Sequence, residues 1–198
     1  MIGTCRFDLS SQYNQIELFM KLTKFFCLFV LAACISFGAA AQPYQKGVGL
    51  RISNSYYDLV AATYKFFIGD AGAIDLDAGF GLRSYYDSYY TDHVKPFGLS
   101  ISAAYQHHFE IPVRGGGLYW FIGGGFTGYP IFSSKGDYDG FAFGLFPTGG
   151  VDFKIPRIPL AVSADYRPTF FLGNPPGHYD TFYGTNFGVA ARYTFGQK

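Results

Sequence analysis

The sequence predicts an all-β chain, an eight-stranded antiparallel up-and-down barrel, with strands long enough to make it a transmembrane β-barrel. Three observations carry this. Aromatic residues are 21% of the 198 positions, with Gly 26, Tyr 17 and Phe 23; aromatic side chains suit a pleated surface, whereas glycine is poor inside helices. Apolar residues alternate with small or polar ones in eight segments, the period of a strand. The connections between these segments are compact at one end and mostly long at the other.

The chain opens differently. Residues 20–41 read as an export signal, with Lys21 and Lys24, an apolar core from Phe25 to Phe37, and small residues at Ala39 and Ala41 before a cleavage point at Gln42. The apolar run is shorter than the roughly 18 to 20 residues of a spanning helix. Residues 1–19 carry Asp8 and Glu17 and do not suit the front of a signal, so they read as an upstream mis-start extension, with translation beginning at Met20. The tetrapeptide LAAC at Leu31 to Cys34 offers a lipidation alternative, but Ile35, Ser36, Phe37 and Gly38 continue the apolar run where a polar tether would follow. Cys5, Cys27 and Cys34 all precede Gln42, leaving the 42–198 barrel without disulfide or thiolate chemistry.

The eight segments follow in order at 46–53, 59–68, 73–84, 97–109, 118–128, 141–153, 160–167 and 186–195. Each is about ten residues, the length a tilted strand needs to cross a bilayer. Their apolar columns run Val48, Leu50, Ile52; then Val60, Ala62, Tyr64, Phe66, Ile68; then Ile74, Leu76, Ala78, Phe80, Leu82; then Phe97, Leu99, Ile101, Ala103, Tyr105. The fifth segment, LYWFIGGGFTG, has aromatics in both columns, and Trp120, Ile122 and Phe126 are assigned outward. The last three give Phe141, Phe143, Leu145; Leu160, Val162, Ala164, Tyr166; and Phe187, Val189, Ala191, Tyr193, Phe195. Aliphatics occupy the middles and aromatics the ends, as in girdles at two water interfaces. GDAG, EIPVRGGG and KIPRIP read as tight turns, and the opposite end carries NSYYD with three longer loops rich in Tyr, Asp and Gly.

The alternate columns hold Gly, Ala, Ser and Thr with sparse charges of both signs: Arg51, Lys65, Asp75, Asp77, Arg83, Asp152, Lys154, Asp165, Arg167 and Arg192. Converging in a narrow barrel, interleaved acids and bases satisfy one another where single ions would cost several kcal/mol. GDAG as a hairpin puts Lys65 within reach of Asp75 and Asp77. The reading is a charge-packed plug rather than an open pore. A secreted soluble lipocalin-like barrel, apolar columns inward, is the inverse; its surface would want about 25–35% charged residues, against 15% here, and Glu110 is the one Glu after residue 41. Net charge +1 without a basic run excludes nucleic acid as a partner.

Over residues 42–198 the chain resembles the small eight-stranded outer-membrane β-barrel proteins of Gram-negative bacteria, which are porin-like in form. The most specific match is the last strand, FGVAARYTF, with Phe187, Val189, Tyr193 and Phe195 alternating to a near-terminal aromatic. In that family such a strand is the assembly signal for the outer-membrane insertion machinery; here GQK follows Phe195, where many members end on the Phe. IPLAVSADYRP likewise looks like a penultimate strand of that family. The resemblance implies residence in the cell outer membrane, outer-membrane lipid as surroundings and a monomer with Tyr-rich external loops.

Chemistry is sparse. His93 and His178 fall in external loops near Asp92 and Asp180, where an acid-base pair of a lipid-modifying enzyme would sit, while His107 and His108 lie toward the short turns and point to opposite faces. Asp137 and Asp139 in KGDYDG lack further calcium ligands at the required offsets. No catalytic residue, metal or cofactor is assigned. The expectation is a non-enzymatic envelope protein with a structural, adhesive or surface-binding role, its loop ligand unknown; the alternatives are a narrow channel for small solutes and an outer-membrane lipid-modifying enzyme.

Overall fold

A computed structural model describes residues 44–82, 85–87, 92–94, 97–113, 117–132, 140–172 and 181–196, all within the compact unit Ala39–Lys198. Residues 1–19, the 20–41 signal with Ala39, Ala41 and Gln42, and Arg83 lie outside the described residues, as do Asp137, Asp139, His178 and Asp180.

The strands are β1 (Lys46–Ser53), β2 (Val60–Ile68), β3 (Gly72–Leu82), β4 (Tyr85–Asp87), β5 (Asp92–Val94), β6 (Phe97–Glu110), β7 (Leu118–Phe132), β8 (Gly140–Ile155), β9 (Leu160–Tyr166), β10 (Thr169–Leu172), β11 (Phe182–Tyr183) and β12 (Phe187–Phe195). Neighbours pair antiparallel from β1 through β2, β3, β6, β7 and β8 to β9, and β12 closes the ring between β9 and β1. The result is a closed eight-stranded barrel in up-and-down order, and closure removes every sheet edge around the ring. β4 and β5 form a separate hairpin inside the loop after β3.

Four walls depart from the expected segments. β7 and β8 run on past 128 and before 141, so part of the expected YPIFSSKGDYDG loop is ladder. The seventh and eighth walls are each interrupted: β9 stops before Arg167 and Pro168, β10 resumes on β8, and β11 precedes β12 after a break at 184–186. Proline has no N–H for the ladder, which is why the pairing lapses there and recovers at Thr169. At the other end the turn after β2 uses Gly69 at φ 79°, and the turn after β8 uses Arg157 at φ 69°. Both are left-handed positions that let a short connection reverse the chain.

The two faces separate cleanly. Ile52, Ile101 and Phe141 are 62%, 69% and 62% exposed on the outside, while Arg51, Lys65 and Arg192 are 0%, 0% and 1% exposed within. Leu76 and Phe80 are also exposed, and their neighbours Asp75 and Asp77 are buried. In β7, Ile122 and Phe126 face out as expected, and Trp120 stacks outside on Phe109 at 4.2 Å between ring centres.

Candidate functional site: the charged lumen

An eight-stranded barrel is just wide enough for side chains to fill it, and here the filling is ionic. Asp75 on β3 is the hub. It accepts from Arg192 Nη2 at 3.1 and 3.0 Å, from Arg167 Nη2 at 3.1 Å, from Thr63 Oγ1 at 3.0 Å and from Gln106 Nε2 at 3.1 Å. Arg192 also donates through Nε to Thr63 Oγ1 and through Nη1 to Ser163 Oγ, at 3.1 and 2.6 Å. A carboxylate so surrounded has its lone pairs met, the condition for burying a charge at tolerable cost.

Toward the long loops, Arg167 reaches Asp77 Oδ2 at 2.5 Å and sets Nε 3.0 Å from Asp165 Oδ1. Asp165 takes Arg51 in a two-point grip, Nη2 to Oδ1 at 2.6 Å and Nε to Oδ2 at 3.1 Å, while Arg51 Nη1 donates to Asp58 Oδ2 at 2.5 Å. Arg51 fits because residue 188 is glycine: a Cβ there would overlap the guanidinium. Above this layer the short β1–β2 connection folds into the mouth. Tyr57 shares a hydrogen bond with Thr169 Oγ1 at 2.5 Å, accepts from Asn186 Nδ2 at 2.7 Å and packs in an apolar cluster with Tyr129, Ile131, Ala142 and Phe171. Burial pushes the Tyr57 phenol up to about 12 and the Asp58 carboxyl up to about 6, the latter against the pull of Arg51.

Toward the short turns a second group forms. Lys65 Nζ donates to Asp152 Oδ2 at 2.7 Å and lies 4.7 Å from the Phe121 ring centre. Tyr44, just before β1, caps it by donating to the same Asp152 oxygen at 2.8 Å. Its phenol is raised well above the ordinary value, chiefly by burial and then by Asp152. The His108 ring lies between Phe67 and Phe121, with Nε2 3.8 Å from Asp152.

Eight of the ten charges assigned to the interior, Arg51, Lys65, Asp75, Asp77, Asp152, Asp165, Arg167 and Arg192, are buried in this network. Lys154 is placed otherwise. It is the last inward position before the turn, so its half-buried ammonium reaches the lip and donates to the carbonyls of Ile155 and Ile158 at 3.0 and 2.6 Å. The expected partnership of Lys65 also changes: Asp75 stands opposite it in register, but Asp75 is saturated by arginines and Lys65 crosses to Asp152. Of the two adjacent histidines His108 faces in, and His107 sits on the outer side beside Tyr105, Nδ1 to hydroxyl 3.2 Å. Tyr44, Tyr57, Asp58, Thr63, Gln106 and Ser163 join the network without a charge pattern in the sequence that marks them. Among the described residues, no three His, Cys, Asp or Glu side chains are grouped to hold a metal ion.

The outer wall carries aromatic pairs toward both ends. Phe80 and Phe97, Phe126 and Phe143, and Tyr166 and Phe187 stack at 6.2, 6.1 and 4.6 Å toward the loops, where Phe170 and Phe182 also meet, tilted, at 4.6 Å, and Tyr64 lies 5.7 Å from Phe66 toward the turns. Leu50 and Val189 lie exposed between these belts. No protein-family model and no curated protein matches the chain.

Proposed function

We propose that the chain is an integral outer-membrane β-barrel protein of a Gram-negative envelope, closed to solutes, that holds its loop end at the cell surface in a structural, adhesive or surface-binding role. One observation carries this reading: the wall is apolar outside and ionic inside. Each Leu, Ile or Phe left in water forgoes about 1.5–3 kcal/mol of burial, and exposed apolar side chains continue around the ring on β1, β2, β3, β6, β7, β8 and β12. Hydrocarbon is the solvent that such a wall fits, and the belts of aromatics fit its two polar boundaries.

The interior supports closure rather than transport. From Tyr44 at one end to Tyr57 at the other, buried side chains bond across the lumen, so passage of a solute requires breaking ion pairs. By the resemblance of the last strand, the insertion machinery of the outer membrane is the assembly partner, and the short turns face the periplasm. Reconstitution in planar lipid bilayers tests the reading. The protein is expected to stay with the membrane through an alkaline wash and to pass no stepwise current. Regular conductance steps would favour the narrow channel instead, release into buffer without detergent a soluble barrel, and altered lipid acylation on deleting the gene a lipid-modifying enzyme.

A further inference from the structure

The connection between β1 and β2 stops the mouth of the barrel. Asn54 is exposed and Leu59 is half-buried, but Ser55, Tyr57 and Asp58 between them are 1%, 1% and 2% exposed, seated in the mouth of the barrel. Both ends are pinned by backbone: Ser53 N donates to Leu59 O at 3.0 Å and Leu59 N to Phe80 O at 2.9 Å. Within it the amides bond to hydroxyls, Ser55 N to Ser53 Oγ at 3.1 Å and Tyr57 N to Ser55 Oγ at 3.3 Å. No strand pairing runs through Ser55–Asp58, so a movement of that stretch would leave the barrel ladder as it is.

Its attachment to the lumen is unbalanced in charge. Among the described residues four basic side chains, Arg51, Lys65, Arg167 and Arg192, face five carboxylates, Asp58, Asp75, Asp77, Asp152 and Asp165. Asp58 is the surplus one. Arg51, its ion-pair partner on β1, is already gripped by Asp165 of β9. The other groups bearing on Asp58 are Asp77 of β3 and Asp165 of β9, which oppose its charge, Arg167 of the β9–β10 break, which favours it, and Ser100 Oγ of β6 at 3.5 Å from Oδ1. Oδ2 accepts from Arg51 whether or not Oδ1 holds a proton, so protonation removes the surplus charge and keeps the contact.

The geometry points to the Asn54–Leu59 segment as an acid-closed latch, seated in the mouth while Asp58 is protonated and released from it as Asp58 ionises. The direction follows from linkage: a carboxyl that the seated state holds at about 6, against roughly 4 when free in water, binds the proton more tightly when buried. Mild acid therefore favours seating. The inference does not rest on which membrane holds the barrel, or on which side the mouth faces.

Hydrogen–deuterium exchange of the protein in phospholipid vesicles reads the latch through the amides of Ser55 to Leu59, corrected for the intrinsic pH dependence of exchange. Protection is expected to be about tenfold greater at pH 5 than at pH 7.5, with the β1 and β2 ladder amides unchanged. Asp58→Asn, neutral at both values, is expected to show the acid level of protection throughout. Equal protection of the unsubstituted protein at the two pH values overturns the latch, and so does an Asp58→Asn protein that keeps the pH dependence. If that variant does not fold, the unsubstituted protein decides alone.

Discussion

Lys65 and Asp152 stand on opposite walls of the barrel, 87 positions apart in the chain, and meet at 2.7 Å with both side chains buried. Removing one member leaves the other charged and stranded, at a cost of about 3–5 kcal/mol, whereas replacing both by apolar residues is close to neutral. Lys65→Met is therefore expected to lower the urea midpoint of the lipid-embedded barrel strongly, and Lys65→Met with Asp152→Leu and Tyr44→Phe, which also removes the phenol that donates to Asp152, to recover most of the loss. The pair sets which walls face each other more than it adds net stability.

Gly188 leaves the space that the Arg51 guanidinium fills. Gly188→Ala is expected to push Arg51 off Asp165 and to cost about 1–3 kcal/mol by overpacking. The same change at Gly149, where a Cβ meets only the Phe121 carbonyl at 3.7 Å, touches no ion pair. Unfolding midpoints of the two variants, compared with the unsubstituted barrel, check the assignment. A loss at residue 188 that Arg51→Ala does not relieve would count against it.

Leu50, 59% exposed, lies between the aromatic belts on the outer wall, flanked in register by Ala62 and Ala191. A Leu50→Arg barrel in lipid is expected to lose about 2–4 kcal/mol, the cost of arginine near a bilayer midplane. On a water-facing wall the same substitution would be within about 0.5 kcal/mol of neutral. Urea titration in vesicles separates the two.

Asp58 gives the barrel a pH dependence of defined sign. Its carboxyl is held at about 6 when folded, above the roughly 4 of an unfolded chain, so between those values the folded barrel binds more protons. The stabilisation is complete below about pH 4 and is lost as the pH rises through 6. The barrel is expected to be more stable at pH 5 than at pH 7.5 by on the order of 1 kcal/mol, and Asp58→Asn to lack that component. An unchanged pH profile in the variant would assign the effect elsewhere.

Alternation carried most of the fold. β1, with Val48, Leu50 and Ile52 against Gly47, Gly49 and Arg51, has the expected bounds because its two faces meet different surroundings. β7 was ambiguous for a physical reason. Its inward Tyr119, Phe121, Tyr129 and Ile131 help close the two ends of the lumen, so both of its columns are apolar. The buried charges were legible as a set, but their partners were not, because Lys65 with Asp152 depends on how far the ring shears on closing. Tyr44 and Asp58 were missed since each lies in a connecting segment, and no local pattern signals that such a segment turns inward.

Trp120, the chain's single tryptophan, tests the central claim without any substitution. It sits on the outer wall, stacked on Phe109 toward the short-turn end, where the account puts the boundary of the hydrocarbon. In vesicles of lipids brominated along the acyl chain, its fluorescence is expected to be quenched by the bromines closest to the headgroups and to be shielded from aqueous iodide. Emission indifferent to brominated lipid but quenched by iodide would put water against that wall and contradict the account.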